Sequence, residues 1–275
     1  MESKQIQGPG PRDTANYVFD NAAVQARTRL GAISAVFDPG TIRHLSERGI
    51  KKGWRCLEVG GGGGSIASWL CESVGAEGSV VATDIDTRFL DTLRLPNIEV
   101  RHHNVVTESL PEAAFDLAHA RLVLLHLPEW EKALRRMVLA LKPGGWLVAE
   151  EFDSLSMRPD PSANPGEVLL KTYSAIGRML TEHGADIRFG RSLFERLRAQ
   201  GLVDVGTEAR MFMWQAGSHG ASLYRANFVS LRADLIQAGY VTEEEFERDL
   251  ARLEETDFLA PSPIMWTAWG RLPPA

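Results

Sequence analysis

Cysteine is scarce in this 275-residue chain, which carries only Cys56 and Cys71. Two are too few for a disulfide framework, and Cys56 falls in an apolar run that reads as a buried strand, so both are expected as free thiols. Long apolar runs are missing as well. None approaches the roughly 18 residues a membrane span needs, and the start, Met-Glu-Ser-Lys-Gln-Ile-Gln-Gly-Pro-Gly-Pro, lacks the apolar core of a signal peptide. A cytoplasmic protein without a membrane partner is the expectation. Lys and Arg form no cluster and the formal net charge is −6, so nucleic acid is not an expected partner. No internal repeat is visible. No spacing of the His-x-x-x-His kind occurs, and no metal is expected. The rest is ordinary for a globular protein, with 44% hydrophobic and 24% charged residues.

What the chain does have is glycine in one place. Cys56, Leu57 and Val59 form a short apolar run containing Glu58, followed by five consecutive glycines, Gly60 to Gly64. Ile66, Trp69, Leu70 and Val74 then repeat at helical spacing, with Ser65 placed to start or cap the helix. Strand, glycine turn and helix bring a backbone close to a small ligand, because glycine accepts positive φ and has no Cβ to intervene.

Around this turn the chain divides by pattern. Residues 1–12 read as a flexible tail and 13–275 as one domain: N-terminal helices over 13–50, a ligand-binding core over 51–152, substrate-shaping insertions over 153–260, and a last strand over 261–275. Apolar spacing from Tyr17 to Phe37 is helical; Asp38-Pro39-Gly40 is expected to stop that helix, with Thr41 capping a short second one through Leu45 to Arg48. Five strands are expected at about 54–59, 79–83, 98–102, 115–120 and 146–150, alternating with helices near 65–75, 87–93 and 129–141. The turn Lys142-Pro143-Gly144-Gly145 precedes the fifth strand. Such alternation predicts an α/β fold with a doubly wound, Rossmann-like sheet. The last third adds helices near 166–182, 191–200, 220–238 and 242–254, and strand candidates at 202–205, 211–214 and 264–269. The whole is expected as a mostly parallel seven-stranded sheet carrying a helical lid.

The glycines alone fit two cofactors. Gly62-x-Gly64-x-x-Ala67 satisfies a dinucleotide fingerprint, and Glu58-x-Gly60-x-Gly62-x-Gly64 satisfies the acid-led pattern of S-adenosylmethionine (SAM) binding. Asp84, ending the second strand, could take ribose hydroxyls in either case. Glu58 separates them, since a pyrophosphate there would be repelled while a cationic amine or sulfonium would not. Nor does a P-loop lysine follow the glycines. With Leu141-Lys142-Pro143-Gly144-Gly145 at the fifth strand, Asp84-Ile85-Asp86 and Leu125-His126-Leu127-Pro128-Glu129, residues 50–152 resemble a class I SAM-dependent methyltransferase of the broad small-molecule type.

The resemblance implies a site. Glu58, Gly60, Gly62 and Gly64 would hold the methionine moiety, Asp84 the ribose, and Ile85 the adenine face. Asn104 would accept from the adenine amino group, Val105 would offer its amide, and Arg121 would flank the methionine end. S-adenosylhomocysteine (SAH) would be the product, and the partner a small-molecule methyl acceptor, with a homodimer compatible.

Methyl transfer needs proximity and alignment, and a base only where the nucleophile must lose a proton. His126, after the fourth strand, is the candidate base; its ordinary reading is a pocket wall. Glu150 and Glu151 end the fifth strand, and alternation should turn one of them into the site, with Glu151 as the candidate. Tyr17, Glu151, Phe152, Tyr173 and Trp214 are the candidate substrate contacts, among further aromatic and Met residues (Met211, Phe212, Met213, Trp266, Trp269) that core packing could equally claim. His119 and His183 read as structural. The expected activity is methylation of a small, largely apolar molecule, such as a natural-product intermediate, with oxygen preferred over carbon or nitrogen as the receiving atom. A SAM-binding enzyme catalysing a non-methylating reaction such as a cyclisation is a second reading, and a nicotinamide-dependent oxidoreductase a third.

Overall fold

The computed structural model describes residues 18–19, 25–154 and 171–274. The tail, Tyr17 and the start of the helix expected from 166 lie outside the described residues.

Five strands alternate with connecting segments as the apolar runs predict: β1 (Arg55–Val59), β2 (Ser79–Asp84), β3 (Ile98–His102), β4 (Phe115–Arg121) and β5 (Leu141–Asp153). They pair in parallel, and two late strands, β6 (Val203–Arg210) and β9 (Ile264–Arg271), complete a seven-stranded sheet of order β3-β2-β1-β4-β5-β9-β6. β9 runs antiparallel to both its neighbours. Chain order reverses at β1, so the ends of β1 and β4 flank a crevice, the usual ligand position of an open α/β sheet.

Alternation along the strands feeds two cores. Leu57, Val59, Ala118, Ala120, Leu147 and Ala149 share one cluster with α3 (Trp130–Leu139) and α5 (Leu193–Ala199). Cys56, Val80, Ala82, Leu117 and Val148 share the other with α2 (Ser65–Val74). Residues one apart point to opposite faces, which is why both faces are covered and the central strands read as unbroken apolar runs. A third cluster lies beyond one end of the sheet, where Met265 and Phe152 meet it. It joins α1 (Gln25–Glu47), α4 (Lys171–Glu182), α6 (His219–Gln237) and α7 (Glu243–Arg252) through Phe37, Ile176, Trp214, Tyr224, Phe228 and Phe246. This is the lid, and its fully buried Phe37, Phe228 and Phe246 are each worth roughly 1.5–3 kcal/mol of transfer free energy.

Four local expectations are corrected. First, Asp38-Pro39-Gly40 does not stop a helix: α1 is continuous through it, and Pro39 lies inside. Tertiary bonds offset the missing N–H. Asp38 accepts from Arg121 Nη2 at 2.8 Å, and Thr41, fully buried within the helix rather than capping one, donates to Glu150 and accepts from Arg121 Nη1. Second, the helix expected over 87–93 is a single 3-10 turn, Leu90–Thr92. Bonds from Asp86 N to Asp84 and from Arg88 to Asp86 fix the residues after β2, leaving little chain before β3.

Third, β5 begins five residues early. Its register jumps from Phe115↔Leu141 to Leu117↔Trp146, so Lys142 to Gly145 form a bulge within the strand, with Gly144 at φ 80°. Fourth, the strand expected at 211–214 contributes Met213–Gln215 (β7) to a separate two-stranded sheet with β8 (Leu259–Pro261). Among the described residues, no helix is long and apolar enough to cross a membrane.

Candidate active site

The glycine turn takes the conformation that only glycine adopts readily. Gly60, Gly62 and Gly64 have φ of 68°, 51° and 81°. The amides of Gly60 and Gly61 donate to Thr83 O at 2.8 and 3.0 Å, pinning the turn to the end of β2. Gly62 N donates to Asp84 Oδ2 at 2.9 Å, and Asp86 N donates to Asp84 Oδ1 at 3.0 Å. Asp84 thus clasps the turn with both oxygens, and a carboxylate has about four acceptor sites, so it can still accept from a ligand. Burial raises its pKa, against backbone hydrogen bonds from Gly62, Asp86 and Ile85.

Above the turn lies a cavity of about 780 Å³, within the size range of small-molecule sites. Glu58, Gly60, Gly62, Asp84, Ile85, Asn104, Val105 and Arg121 line its sheet side; His126, Phe152, Tyr173 and Trp214 line the side toward the lid. Twelve of the fourteen candidates that fall within the described residues therefore meet at one cavity, from chain segments far apart. Gly64 and Glu151 are not among its walls, and Tyr17 lies outside the described residues.

Several candidates are occupied in ways the sequence did not reveal. A Cβ on Gly64 would stand 2.8 Å from Leu93 Cδ1, so this glycine serves helix packing rather than the cavity. Asn104 Oδ1 accepts from the amides of Val106 at 2.9 Å and Thr107 at 3.3 Å, committing to a turn the carbonyl expected to meet adenine. Arg121 lines the cavity while its guanidinium is held by Asp38 and Thr41 of α1. Glu150 and Glu151 both turn away from the cavity. Glu150 is ringed by Thr41, Thr267 and Arg210; burial would raise its carboxyl, but His119, the Arg121 charge and the Thr267 hydroxyl bring it down to about 2. Glu151 Oε1 accepts from the amides of Val123 and Leu124, and burial pushes its carboxyl up to about 8. It braces the turn that carries His126 rather than touching substrate. Met211 and Met213 are 52% and 54% exposed, and Trp266 and Trp269 are not cavity walls.

The lid side is aromatic and tightly built. Trp214 and Tyr224 meet edge to face with centroids 4.6 Å apart, and Tyr224 donates to Pro261 O at 3.0 Å. A Cβ on Gly220 would stand 2.1 Å from the Trp214 ring, so α6 approaches the indole only because that residue is glycine. Tyr173 donates to Ser154 Oγ at 3.4 Å, and burial moves its hydroxyl up to about 12.

Sequence reasoning missed Arg29 and the part played by His119. Arg29 is buried, lines the cavity, and stacks its guanidinium 4.6 Å over the Phe19 ring. The signal was there: Arg29, Leu30, Ile33 and Ser34 share one face of α1 by helical spacing. Burial, with the Arg29 charge behind it, drops His126 to about 4, so its imidazole is neutral at pH 7. His119 stands beside Glu58, its Nδ1 2.7 Å from Glu58 Oε2.

A family described as a methyltransferase domain matches residues 33–207. The chain belongs to the class I SAM-dependent methyltransferases. Over 153 residues it is 29% identical to the ubiquinone/menaquinone biosynthesis C-methyltransferase UbiE of Francisella tularensis subsp. novicida, covering 53% of this chain and 61% of that protein. It is 30% identical over 148 residues to methyltransferase str2 of Strobilurus tenacellus, covering 53% of this chain and 52% of the other. The match thus spans between half and two-thirds of those relatives. A solved phosphoethanolamine N-methyltransferase 2 from Haemonchus contortus, in complex with SAM, superposes with a TM-score of 0.59 at 13% identity, over 96% of this chain and 60% of that one. At that identity the likeness is one of fold.

The methyltransferase's own residues fit SAM. The positive-φ glycines leave a cradle: a Cβ on Gly60 would stand 2.3 Å from Val123 Cγ2 and close it. Glu58 faces the cavity beside that cradle, and Asp84 offers carboxylate oxygens to hydroxyls.

Proposed function

We propose that this methyltransferase transfers the SAM methyl group to a small, largely apolar molecule, with an oxygen as the receiving atom. The observation that carries the reading is the Asp84–Gly62 clasp at the floor of a cavity whose opposite wall is the aromatic lid. When bound, SAM supplies a methyl group activated by its positive sulfur. Glu58 and the Gly60–Gly62 backbone would hold the amino-acid end, Asp84 the ribose, and Ile85 and Val105 the adenine.

The lid supplies orientation and excludes water. Phe152, Ile176, Trp214 and Tyr224 would take the acceptor's apolar body, which supports a largely apolar molecule of aromatic size. Proximity and alignment of this kind contribute up to roughly 7–11 kcal/mol. His126, neutral at pH 7, is able to take the hydroxyl proton. That proton becomes strongly acidic as the oxygen gains a methyl group, so a weakly basic imidazole suffices.

Carbon as the receiving atom is the second reading. UbiE is named a C-methyltransferase, and a low-basicity His126 also suits an acceptor that needs no base. The test is incubation with methyl-labelled SAM and a panel of apolar phenols and alcohols. Label on an acceptor oxygen supports the proposal and label on carbon supports the second reading. An altered acceptor with all label left on SAM would overturn both in favour of a non-methylating reaction.

A further inference from the structure

Glu58 is the acid that leads the glycine turn, and it is 3% exposed. An ionised carboxylate in so dry a place needs a partner, or it neutralises by taking up a proton. The partner comes from the next strand. β1 and β4 place Glu58 opposite His119 in register, and His119 Nδ1 lies 2.7 Å from Glu58 Oε2. The other ring nitrogen, Nε2, lies 3.5 Å from Glu150 Oε2. The imidazole has no exposed surface, so it stands between two buried carboxylates on neighbouring strands.

The two acids are provided for differently. Glu150 has its own donors in Arg210 Nη2 at 3.0 Å, Thr267 Oγ1 at 2.6 Å and Thr41 Oγ1. The donor to the Glu58 carboxylate is His119. Glu58 also lines the cavity, whereas His119 does not.

We propose that His119 is a positioning residue for the amino-acid end of the cofactor: it turns one oxygen of Glu58 onto its ring, so that the other oxygen is presented to an ammonium group. This rests on the reading that the cavity binds SAM. Burial alone would lower the His119 pKa, but the carboxylates of Glu58 and Glu150 outweigh it and carry it up to about 9, so the ring is a cation at neutral pH. An uncharged residue at this position would remove the cation from between two acids. Glu58 would then lose the ring that holds it toward the ammonium.

Two ligands separate positioning from general support of the fold. SAH carries the amino-acid end; 5′-methylthioadenosine has the same adenosine and no ammonium. For His119→Gln, calorimetry should show SAH affinity falling about ten-fold and methylthioadenosine affinity unchanged. Equal losses for both ligands, or none for SAH, would overturn the proposal while leaving the SAM reading intact. A wild-type protein that binds neither ligand would overturn both. Should the variant not fold, nitrogen NMR of the wild-type protein answers the same question: His119 protonated on both ring nitrogens at neutral pH agrees, and a neutral ring contradicts.

Discussion

A Cβ on Gly40 would stand 1.0 Å from Nη1 of Arg210. This guanidinium passes through the gap to reach the buried Glu150 at 3.0 Å and Thr267 at 3.1 Å. The glycine that reads as a helix stop is therefore a place where β6 reaches under α1.

Helix propensity alone favours alanine at position 40 by about 1 kcal/mol. We predict the opposite sign. Gly40→Ala must displace Arg210 from a buried carboxylate and should destabilise the protein by about 1–3 kcal/mol in chemical denaturation. A gain in stability would mean that Arg210 relocates without loss.

His126 gives a prediction in pH. Its native value of about 4 lies below the roughly 6.5 of an unfolded chain, because burial and the Arg29 charge disfavour the cation. Between those values the unfolded chain holds the extra proton. The stability His126 contributes is thus complete above pH ~6.5 and is lost as pH falls toward 4. With a hydroxyl acceptor, turnover should lose nothing to His126 protonation between pH 8 and about 5. His126→Gln should lower kcat about 100-fold and leave SAH affinity unchanged, as steady-state kinetics and calorimetry would show. An unchanged kcat would make His126 part of the wall.

Glu151 titrates in the other direction. Its native carboxyl, raised to about 8 by burial, keeps a proton that the unfolded chain gives up near pH 4.5. The stability it contributes is complete below pH ~4.5 and is lost as pH rises toward 8. Glu151→Gln keeps an acceptor for the amides of Val123 and Leu124 without the titration. Thermal melts should show the variant exceeding the wild type at pH 8 and losing that advantage at pH 5. A variant less stable at both would show that the charged carboxylate is what braces the turn.

The sheet and its cofactor turn were legible because they rest on local rules. Apolar runs name β1 to β5, and the run from Gly60 to Gly64 names the turn, where three positive φ angles require glycine. Asp84 was legible from its place at the end of a strand. What escaped depended on partners distant in sequence. Pro39 reads as a break because the bonds that carry α1 through it come from Arg121 and Glu150, more than eighty residues on. Glu151 reads as a site acid by alternation, yet the turn after β4 claims it. Asn104 offers the right chemical group and commits it to its own backbone. Arg29 sits on a recognisable helix face, but only the lid shows that the face borders a cavity. His119 would have followed from pairing strands one and four, since the register sets it opposite Glu58.

Binding of SAH tests the central claim, that Glu58, the glycine turn and Asp84 form a SAM site, most directly. Asp84→Asn keeps the shape of the side chain and an acceptor for Gly62, and removes the charge from the ribose contact. Calorimetric titration should show saturable binding of SAH to the wild-type protein, weakened about 100-fold in Asp84→Asn with the fold intact. Absence of binding to the wild type, or equal affinity in the two proteins, would contradict it.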